Sequence, residues 1–344
     1  MSKVVILGGT GLIGRAVARR FVAAGWHVDV CGRNRQRMPV DLVEAGTAFH
    51  TLDRPDGASV GAVLGDGADL LVDCLAFTAS DAQILVPFLG SVGSTVMVSS
   101  KAVYVDDEGR HVNSESPPRF NGPISESQPT VLAGGGDHNT PEGYGANKVA
   151  AEQTLLDSGF PVTIVRASKV HGEGARPARE WVFVKRVLDG RPAVFLRGRG
   201  ESIDHTTAAV NLAALIELSA EVPGSRVLNS ADPDAPTVLE ISRIIARHLG
   251  HTWEEVLVGY EADPAIGATP WDTVSPILLD MTAATRLGYM PVGSYAQTVI
   301  EEVDWLVANS QRGACARQDE SYFEGLFNYS DEDQLLATHG AVRP

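Results

Sequence analysis

The sequence predicts an α/β protein with a doubly wound parallel sheet and a smaller, mainly C-terminal lobe. Short, continuously apolar runs alternate with amphipathic stretches in the first half of the chain, as is typical of strands buried on both faces of a parallel sheet. A glycine cluster joins the first apolar run to the first amphipathic stretch, and the alternation ends near Gly172. Strands and helices that follow each other in this way form β–α–β units.

The first strand is predicted over residues 4–7, and the helix after it, over 12–24, ends at Gly25, where glycine commonly caps a helix. Further strands are predicted over 27–31, 48–52, 70–77, 95–99, 162–165 and 226–229. Beyond Gly172, helical spacing predicts helices over 181–188, 237–249 and 296–307.

A chain of 344 residues is long for one domain, since a domain averages about 150 residues. Residues 1–171 are predicted to form a dinucleotide-binding domain, to which 203–231 return. Residues 172–202 and 232–344 are predicted to form a discontinuous substrate-binding lobe and tail, because neither is long enough for its own core. Residues 105–143 break the alternation with many prolines and glycines, and we expect them to border the cleft as a lid.

Composition excludes several classes of protein. Hydrophobic residues make up 44% and charged residues 21%, which is typical of a globular chain. The net charge of −15 disfavours nucleic acid and anionic membranes as partners. The three cysteines have no CxxC spacing, which disfavours disulfides and zinc and favours a reducing compartment. The apolar run at 4–7 is too short for a signal peptide, and no run is long enough to span a membrane, so we expect a cytoplasmic protein.

The glycine cluster predicts a dinucleotide site. Gly8, Gly11 and Gly14 are spaced by three between the first strand and the first helix, with Thr10, Leu12 and Ile13 among them. A pyrophosphate requires a tight turn, close approach of the backbone and helix N–H groups directed at it. A merely structural turn is the alternative, and the position between strand and helix argues against it.

Tyr144 and Lys148 form a Tyr-x-x-x-Lys pattern. Residues four apart share one face of a helix, and a nearby ammonium stabilises phenolate, which otherwise forms only near pH 10. The pattern is weak alone but follows both the glycine cluster and Ser100, at the end of a predicted strand. Structural roles remain the alternatives: Ser100 as a helix cap, Tyr144 at the edge of the core and Lys148 at the surface.

These three motifs together resemble the extended short-chain dehydrogenase/reductase family of the epimerase/dehydratase type, over about residues 3–310. The resemblance implies a Rossmann fold, with a catalytic hydroxyl on Ser100, a proton-transferring Tyr144 and a Lys148 that also binds the nicotinamide ribose. It further implies that Asp53 faces the adenine and that Leu75 and Ala76 lie beside the adenosine. The segment containing Val170 would then meet the nicotinamide carboxamide.

Arg33 lies nineteen positions after Gly14, where an acidic residue would bind the ribose 2′-hydroxyl of NAD. A guanidinium suits a 2′-phosphate, so NADP is favoured over NAD. Arg15, Arg35 and Arg37 would assist. The alternative is that these arginines form a solvated basic loop.

Several positions depart from the family pattern. Lys101 and Ala102 stand where dehydratases of the family carry Asp-Glu, which argues against sugar dehydration. Lys169 stands where nucleotide-sugar enzymes carry asparagine, and Asp204-His205 where they often carry Arg-Asp. Replacements for the missing nucleotide contacts are Lys169, Arg176, Arg179 or Arg197, and Lys101 is either a substrate contact or a solvated residue. No metal site is predicted, since His138, His171 and His205 share no ligand spacing.

The leading hypothesis is an NADP(H)-dependent short-chain dehydrogenase/reductase that moves hydride to or from a carbonyl or carbinol carbon. A nucleotide-sugar 4-epimerase with bound NAD is the second hypothesis, and Arg33 speaks against it. A non-catalytic NADP-sensing or RNA-binding relative is the third, although such relatives commonly lose the three residues retained here. The sequence does not identify the small-molecule substrate, and a homodimer remains an open alternative for the assembly.

Overall fold

A computed structural model describes residues 1–52, 57–310 and 321–340. The strands are β1 Lys3–Leu7, β2 His27–Gly32, β3 Ala48–Thr51, β4 Ala68–Asp73, β5 Val92–Ser100, β6 Val162–Ala167, β7 Lys169–His171, β8 Ala193–Leu196, β9 Thr206–Ala208, β10 Arg226–Ser230 and β11 Glu254–Leu257. Seven of them form one parallel sheet in the order β10-β6-β5-β4-β1-β2-β3. The predicted doubly wound parallel sheet is therefore confirmed.

Helices cover both faces of this sheet. The helices are α1 Leu12–Ala23, α2 Val40–Glu44, α3 Gly57–Leu64, α4 Ala79–Leu85, α5 Pro141–Leu156, α6 Trp181–Leu188, α7 Ala209–Glu221, α8 Val238–His248, α9 Thr282–Arg286, α10 Tyr295–Thr298, α11 Ile300–Ser310 and α12 Tyr329–Gly340. Alternate residues of β1 point to opposite faces. Val4 and Ile6 pack with α1 and α7, whereas Val5 and Leu7 pack with α3, α4 and α5.

The predicted strands all lie in the sheet, and the differences are at element ends. The strand predicted over 70–77 ends at Asp73, because the Asp73 carboxylate accepts the N–H groups of Leu75 and Ala76 and turns the chain. The helix predicted over 296–307 is two helices, α10 and α11. Thr237, the first residue of the helix predicted over 237–249, caps α8 and forms a reciprocal capping box with Glu240.

A second hydrophobic core lies between α6, α8 and α11. It contains Trp181, Phe183, Ile241, Trp271 and Val303, and Leu12 of α1 packs against it. Parallel pairs β8–β11 and β7–β9 flank this region. Leu12 therefore connects the glycine turn to the C-terminal lobe, while the exact limits of the two predicted domains stay a prediction.

The segment before α5 is anchored for most of its length. Ile124 donates its N–H to the Leu278 carbonyl at 2.8 Å and accepts from the N–H of Asp280 at 2.9 Å. Leu132, further along, is 89% exposed. The lid stays a prediction, and its most exposed part lies between Leu132 and Thr140, which caps α5. None of the helices in the described ranges is long and apolar enough to cross a membrane.

Candidate functional site

The glycine turn brings the start of α1 close to β1. Gly8 has a φ of +82°, a region that favours glycine. A Cβ on Gly14 would lie 2.4 Å from the Gly8 carbonyl oxygen, so a side chain at 14 would push the helix away from the strand. Gly11 caps α1 without a side-chain hydrogen bond, so the first N–H groups of the helix remain available to an anion.

Two adjoining cavities open over this turn, at the carboxyl ends of the strands. An outer cavity of about 680 Å³ lies against the end of β2 and contains Arg33 and Arg37. An inner cavity, also of about 680 Å³, contains Ser100, Tyr144 and Lys148. Several lining residues are common to both cavities, namely Gly8, Thr10, Gly11, Arg37 and Leu75. Together they form one continuous cleft, in the place where open parallel sheets bind ligands.

Most of the residues predicted to bind the cofactor line this cleft: Gly8, Thr10, Gly11, Leu12, Ile13, Gly14, Arg33, Leu75, Lys148 and Val170. Ala76 does not line either cavity, because it is fully buried and its carbonyl accepts a hydrogen bond from Lys148. Asp53 lies outside the described residues.

Ser100, Tyr144 and Lys148 meet in the inner cavity because the end of β5 faces the first turns of α5. The Ser100 hydroxyl lies close enough to the Tyr144 phenol to lower its pKa, and it accepts a hydrogen bond from the N–H of Ala102 at 3.2 Å. The Lys148 ammonium donates to the carbonyls of Ala76 at 2.6 Å and Val98 at 3.2 Å. Backbone carbonyls thus hold the lysine in place within the same cavity as the serine and tyrosine.

The pKa of Tyr144 differs from the sequence-based expectation. Burial raises the pKa of Tyr144 above its usual value, and the hydrogen bond from Ser100 only partly opposes this. The net shift is therefore opposite in direction to the one expected from the sequence. The ammonium of Lys148 donates to the two carbonyls and lies 4.4 Å from the centroid of the Phe77 ring.

A buried ionic network supports β5 behind the cavity. The Ser99 hydroxyl donates to the Glu152 carboxylate at 2.5 Å, and Arg166 donates to the same carboxylate at 2.6 Å. The Arg166 guanidinium lies 4.8 Å from the centre of the Tyr104 ring, and Tyr104 donates to Asn229 at 2.7 Å. The Ser99 hydroxyl is thereby engaged in support of the strand, whereas Ser100 lines the inner cavity together with Tyr144.

Two aromatic residues to which the sequence analysis gave no role, Phe77 and Trp305, line the inner cavity. The Phe77 ring lies edge-on to that of Tyr144, with ring centroids 6.3 Å apart. The His138 ring stacks on Phe77, with ring centroids 5.3 Å apart. Trp305 of α11 reaches the inner cavity from the C-terminal lobe. Phe77 is the last residue of the strand predicted over 70–77, and residues at such strand ends often line ligand sites. No local sequence pattern distinguishes Trp305 from the core residues of its helix.

Lys101 is neither of the two alternatives predicted for it. It is 6% exposed, lines neither cavity and forms an ion pair with Asp204. Lys169 pairs with the same carboxylate at 3.1 Å. Burial and the positive charges of Lys169 and Arg179 hold the pKa of Lys101 well below its usual range. Burial and Arg179 lower the pKa of Lys169 to about 7.

The three histidines considered as metal ligands lie in different environments. His205 is a satisfied core histidine, bonded to the Asp232 carbonyl and to the N–H of Leu279. His171, in contrast, lies with Glu180 and Glu302 in a buried group whose ligand atoms are within 4.8 Å of one another. His138 stacks on Phe77, as described above.

The group around His171 also has an explanation without a metal. Burial and the neighbouring Glu180 raise the pKa of Glu302 well above its usual range, which favours the neutral form of this carboxyl group. Two carboxyl groups can then lie close together without a cation between them. The absence of a metal stays a prediction, because these three side chains are of the types that bind metals.

Residues 4–87 match the family model described as "NAD dependent epimerase/dehydratase family". No curated protein gives a significant match to this sequence. This match confirms over residues 4–87 the resemblance predicted from the motifs.

Solved structures extend the similarity in fold to nearly the whole chain. A UDP-glucose 4-epimerase from Thermus thermophilus in complex with NAD has a TM-score of 0.64 and 18% identity, and covers 91% of this chain and 99% of its own. A dTDP-glucose 4,6-dehydratase from Bacillus anthracis in complex with NAD has a TM-score of 0.67 and 15% identity, covering 90% and 98%. A putative epimerase from Burkholderia cenocepacia has a TM-score of 0.69 and 20% identity, covering 89% and 98%.

Proposed function

We propose that this chain, which matches the epimerase/dehydratase family at its N-terminus, is an NADP(H)-dependent oxidoreductase acting on a carbonyl or carbinol carbon of a small molecule. The observation that carries the proposal is that Ser100, Tyr144 and Lys148 line one cavity, which continues into the glycine turn. When bound, NADP(H) would supply or accept the hydride.

The cleft has the features that a phosphorylated dinucleotide requires. The close packing at Gly14 and the uncapped start of α1 suit a pyrophosphate. Arg33 and Arg37 line the outer cavity, and the described residues that line it include no aspartate or glutamate. A carboxylate would be needed to bind a free ribose 2′-hydroxyl, so this charge pattern supports NADP.

The three residues of the inner cavity have complementary roles in this proposal. Tyr144 would give a proton to the substrate oxygen during reduction, and Ser100 would donate its O–H to the same oxygen. Lys148 would orient the ribose and keep positive charge near Tyr144 as phenolate forms. Phe77 and Trp305 would exclude water from the reacting atoms.

A nucleotide-sugar 4-epimerase with bound NAD is the second candidate, because a solved relative with 91% coverage of this chain is a UDP-glucose 4-epimerase in complex with NAD. Arg33 at the end of β2 and Lys169, in place of the family's asparagine, speak against it. The remaining alternative, a non-catalytic NADP-sensing or RNA-binding relative, would bind cofactor or RNA without turnover. Each candidate predicts a different outcome in the same experiment.

The test is to denature the purified protein, identify any nucleotide released, and then assay NADPH oxidation against a panel of carbonyl compounds. Turnover of NADPH without tightly held NAD supports the proposal. Released NAD together with interconversion of UDP-glucose and UDP-galactose would establish the epimerase instead. Cofactor binding without turnover across both assays would favour the non-catalytic relative.

A further inference from the structure

We infer that the substrate carries an anionic group, a carboxylate or a phosphate, and that Arg176 and Arg179 bind it at the inner end of the cleft. The inference rests on the proposed function, because it identifies the class of substrate for the same site. Two observations support it: the charged residues that line the cleft, within the described ranges, are positively charged, and contacts with the rest of the protein fix the backbone of residues 172–180.

The sign of the charge in the cleft is opposite to that of the protein. The chain carries a net charge of −15, yet the charged residues that line the two cavities, within the described ranges, are all basic: Arg15, Arg33, Arg37, Lys148, Arg176 and Arg179. A cleft lined by one sign of charge attracts ligands of the opposite sign. The charge of the cleft therefore favours the binding of anionic ligands.

The cofactor and the protein itself account for four of these six cations. Arg33 and Arg37 lie at the outer cavity, where the adenosine phosphates would bind. Lys148 donates to the backbone carbonyls described above. Arg15 donates to the Glu173 carbonyl at 2.6 Å. Arg176 and Arg179 remain, and both line the inner cavity together with Ser100 and Tyr144.

Neither arginine is neutralised by a carboxylate. Arg176 is exposed and has no salt-bridge partner among the residues that the structure describes. Arg179 donates one N–H to the Val170 carbonyl at 3.3 Å, and its buried Nε has no hydrogen-bond partner in the described part of the chain. The Glu302 carboxyl group interacts with Arg179, but burial and Glu180 raise its pKa well above its usual range, which favours its neutral form.

Two buried lysines, Lys101 and Lys169, interact with Arg179. Lys101 and Lys169 share the single carboxylate of Asp204, and each feels the charge of Arg179. Burial and these positive neighbours hold the pKa of both lysines below its usual value, so the surroundings of Arg179 already disfavour further positive charge. An anion bound to the arginines would relieve this repulsion as well as fill their free donors.

The segment that carries the two arginines is fixed in place. Gly174 has a φ of +76°, and the Arg15 guanidinium lies only 2.2 Å from the position that a Cβ on residue 174 would occupy. Only glycine therefore leaves room for Arg15 here. The N–H of Gly172 donates to the Glu302 carboxylate at 2.5 Å, and Ala175 and Ala178 are buried in the lobe core. Because the backbone is already held, the arginines would bind an anion with little loss of backbone freedom.

The experiment measures anion binding, not turnover. The protein is saturated with NADPH, so that the cofactor fills the outer phosphate sites, and is titrated with inorganic phosphate or acetate at constant ionic strength. Binding is followed by the rise in melting temperature and by isothermal calorimetry. Variants are Arg176→Gln, Arg179→Gln and the double variant, with Arg247→Gln, an exposed arginine of α8, as the matched control.

We expect phosphate or acetate to bind the wild type and the Arg247→Gln control equally, and each cleft substitution to weaken binding by about tenfold or more, as for loss of a charge-assisted hydrogen bond. The stronger of the two probes identifies the anionic group. Equal anion binding by wild type and the double variant overturns the inference, as does no binding to wild type.

Failure of the proposed function has a different result. If NADPH does not bind, the proposed function fails, and the titration is repeated without cofactor. The difference between wild type and the double variant then still decides the inference. If NADPH binds but the anions do not, the inference alone fails.

Discussion

The Arg166 guanidinium donates to the Glu152 carboxylate at 2.6 Å, in a buried pair directly behind the strand that carries Ser100. Glu152 also accepts from the Ser99 hydroxyl. The end of β5 that carries Ser100 is thus tied to α5 and β6 through one carboxylate. Glu152, which does not itself line the inner cavity, therefore helps to hold the strand that forms one side of it.

Glu152→Ala should destabilise the protein by about 3–5 kcal/mol, because it leaves the Arg166 charge buried without its partner. Asp41→Asn is the control, since Asp41 pairs with Arg19 at 2.7 Å near the surface and an exposed pair contributes about 1 kcal/mol or less. Urea unfolding of both variants measures the difference. Equal losses would show that the buried pair has no special role.

Tyr144→Phe should keep NADPH binding and lower turnover by about 10²–10⁴-fold, because the ring remains and only the transferable proton is removed. Tyr322→Phe is the control, because Tyr322 lines neither cavity. Cofactor titration and NADPH oxidation with a turned-over carbonyl compound give the two readouts. Near-wild-type turnover in Tyr144→Phe would remove Tyr144 from the mechanism.

The direction of the reaction should respond to pH in a defined way. Burial raises the pKa of Tyr144, so the phenol is protonated at neutral pH. Carbonyl reduction, which consumes that proton, should proceed at neutral pH, whereas alcohol oxidation, which needs phenolate, should accelerate as the pH rises through the alkaline range. Profiles of kcat/KM in both directions test this, and an oxidation rate already maximal at pH 7 would contradict it.

Arg33→Asp should weaken NADPH binding and spare or improve NADH binding, because it removes a partner for the 2′-phosphate and offers an acceptor to the ribose. The matched control is Arg35→Asp, because Arg35 lies over the Phe49 ring, 6.0 Å from its centroid, and lines neither cavity. Titration with both cofactors measures the preference. An unchanged preference in Arg33→Asp would leave NADP without support.

The parts of the molecule that were predictable depend on local patterns. The apolar runs placed all seven strands, because a strand buried on both faces needs a continuous run such as 4–7. Motif spacing likewise brought Ser100, Tyr144 and Lys148 to one cavity. The environment of Lys101 was not predictable, because its partner Asp204 lies 103 residues away. The same holds for Trp305, which reaches the cavity only through packing of the C-terminal lobe.

Lys169 should make stability depend on pH. Its pKa is about 7 in the folded protein, below its usual value of 10.5, so the unfolded chain binds more protons between these two pH values. Stability therefore rises with pH over this window, and the cost of burying the charge is fully present below pH 7. Lys169→Met should remove this dependence, so its advantage over wild type should shrink as the pH rises. A stability difference that stays constant from pH 6 to 10 would contradict the assignment.

The lid predicted from the sequence should be limited to residues 132–139. Leu132 is 89% exposed and Gly134, Gly135 and Gly136 follow it, whereas the preceding segment is held by the hydrogen bonds of Ile124. Asn139 and His138 line a further cavity beside Tyr144 and Phe77, so closure there would cover the inner cavity. Limited proteolysis should therefore cut within 132–139 and spare 105–131, and NADPH with a bound substrate should slow the cleavage. Cleavage within 105–131, or a rate that does not respond to ligands, would show that this segment does not close over the site.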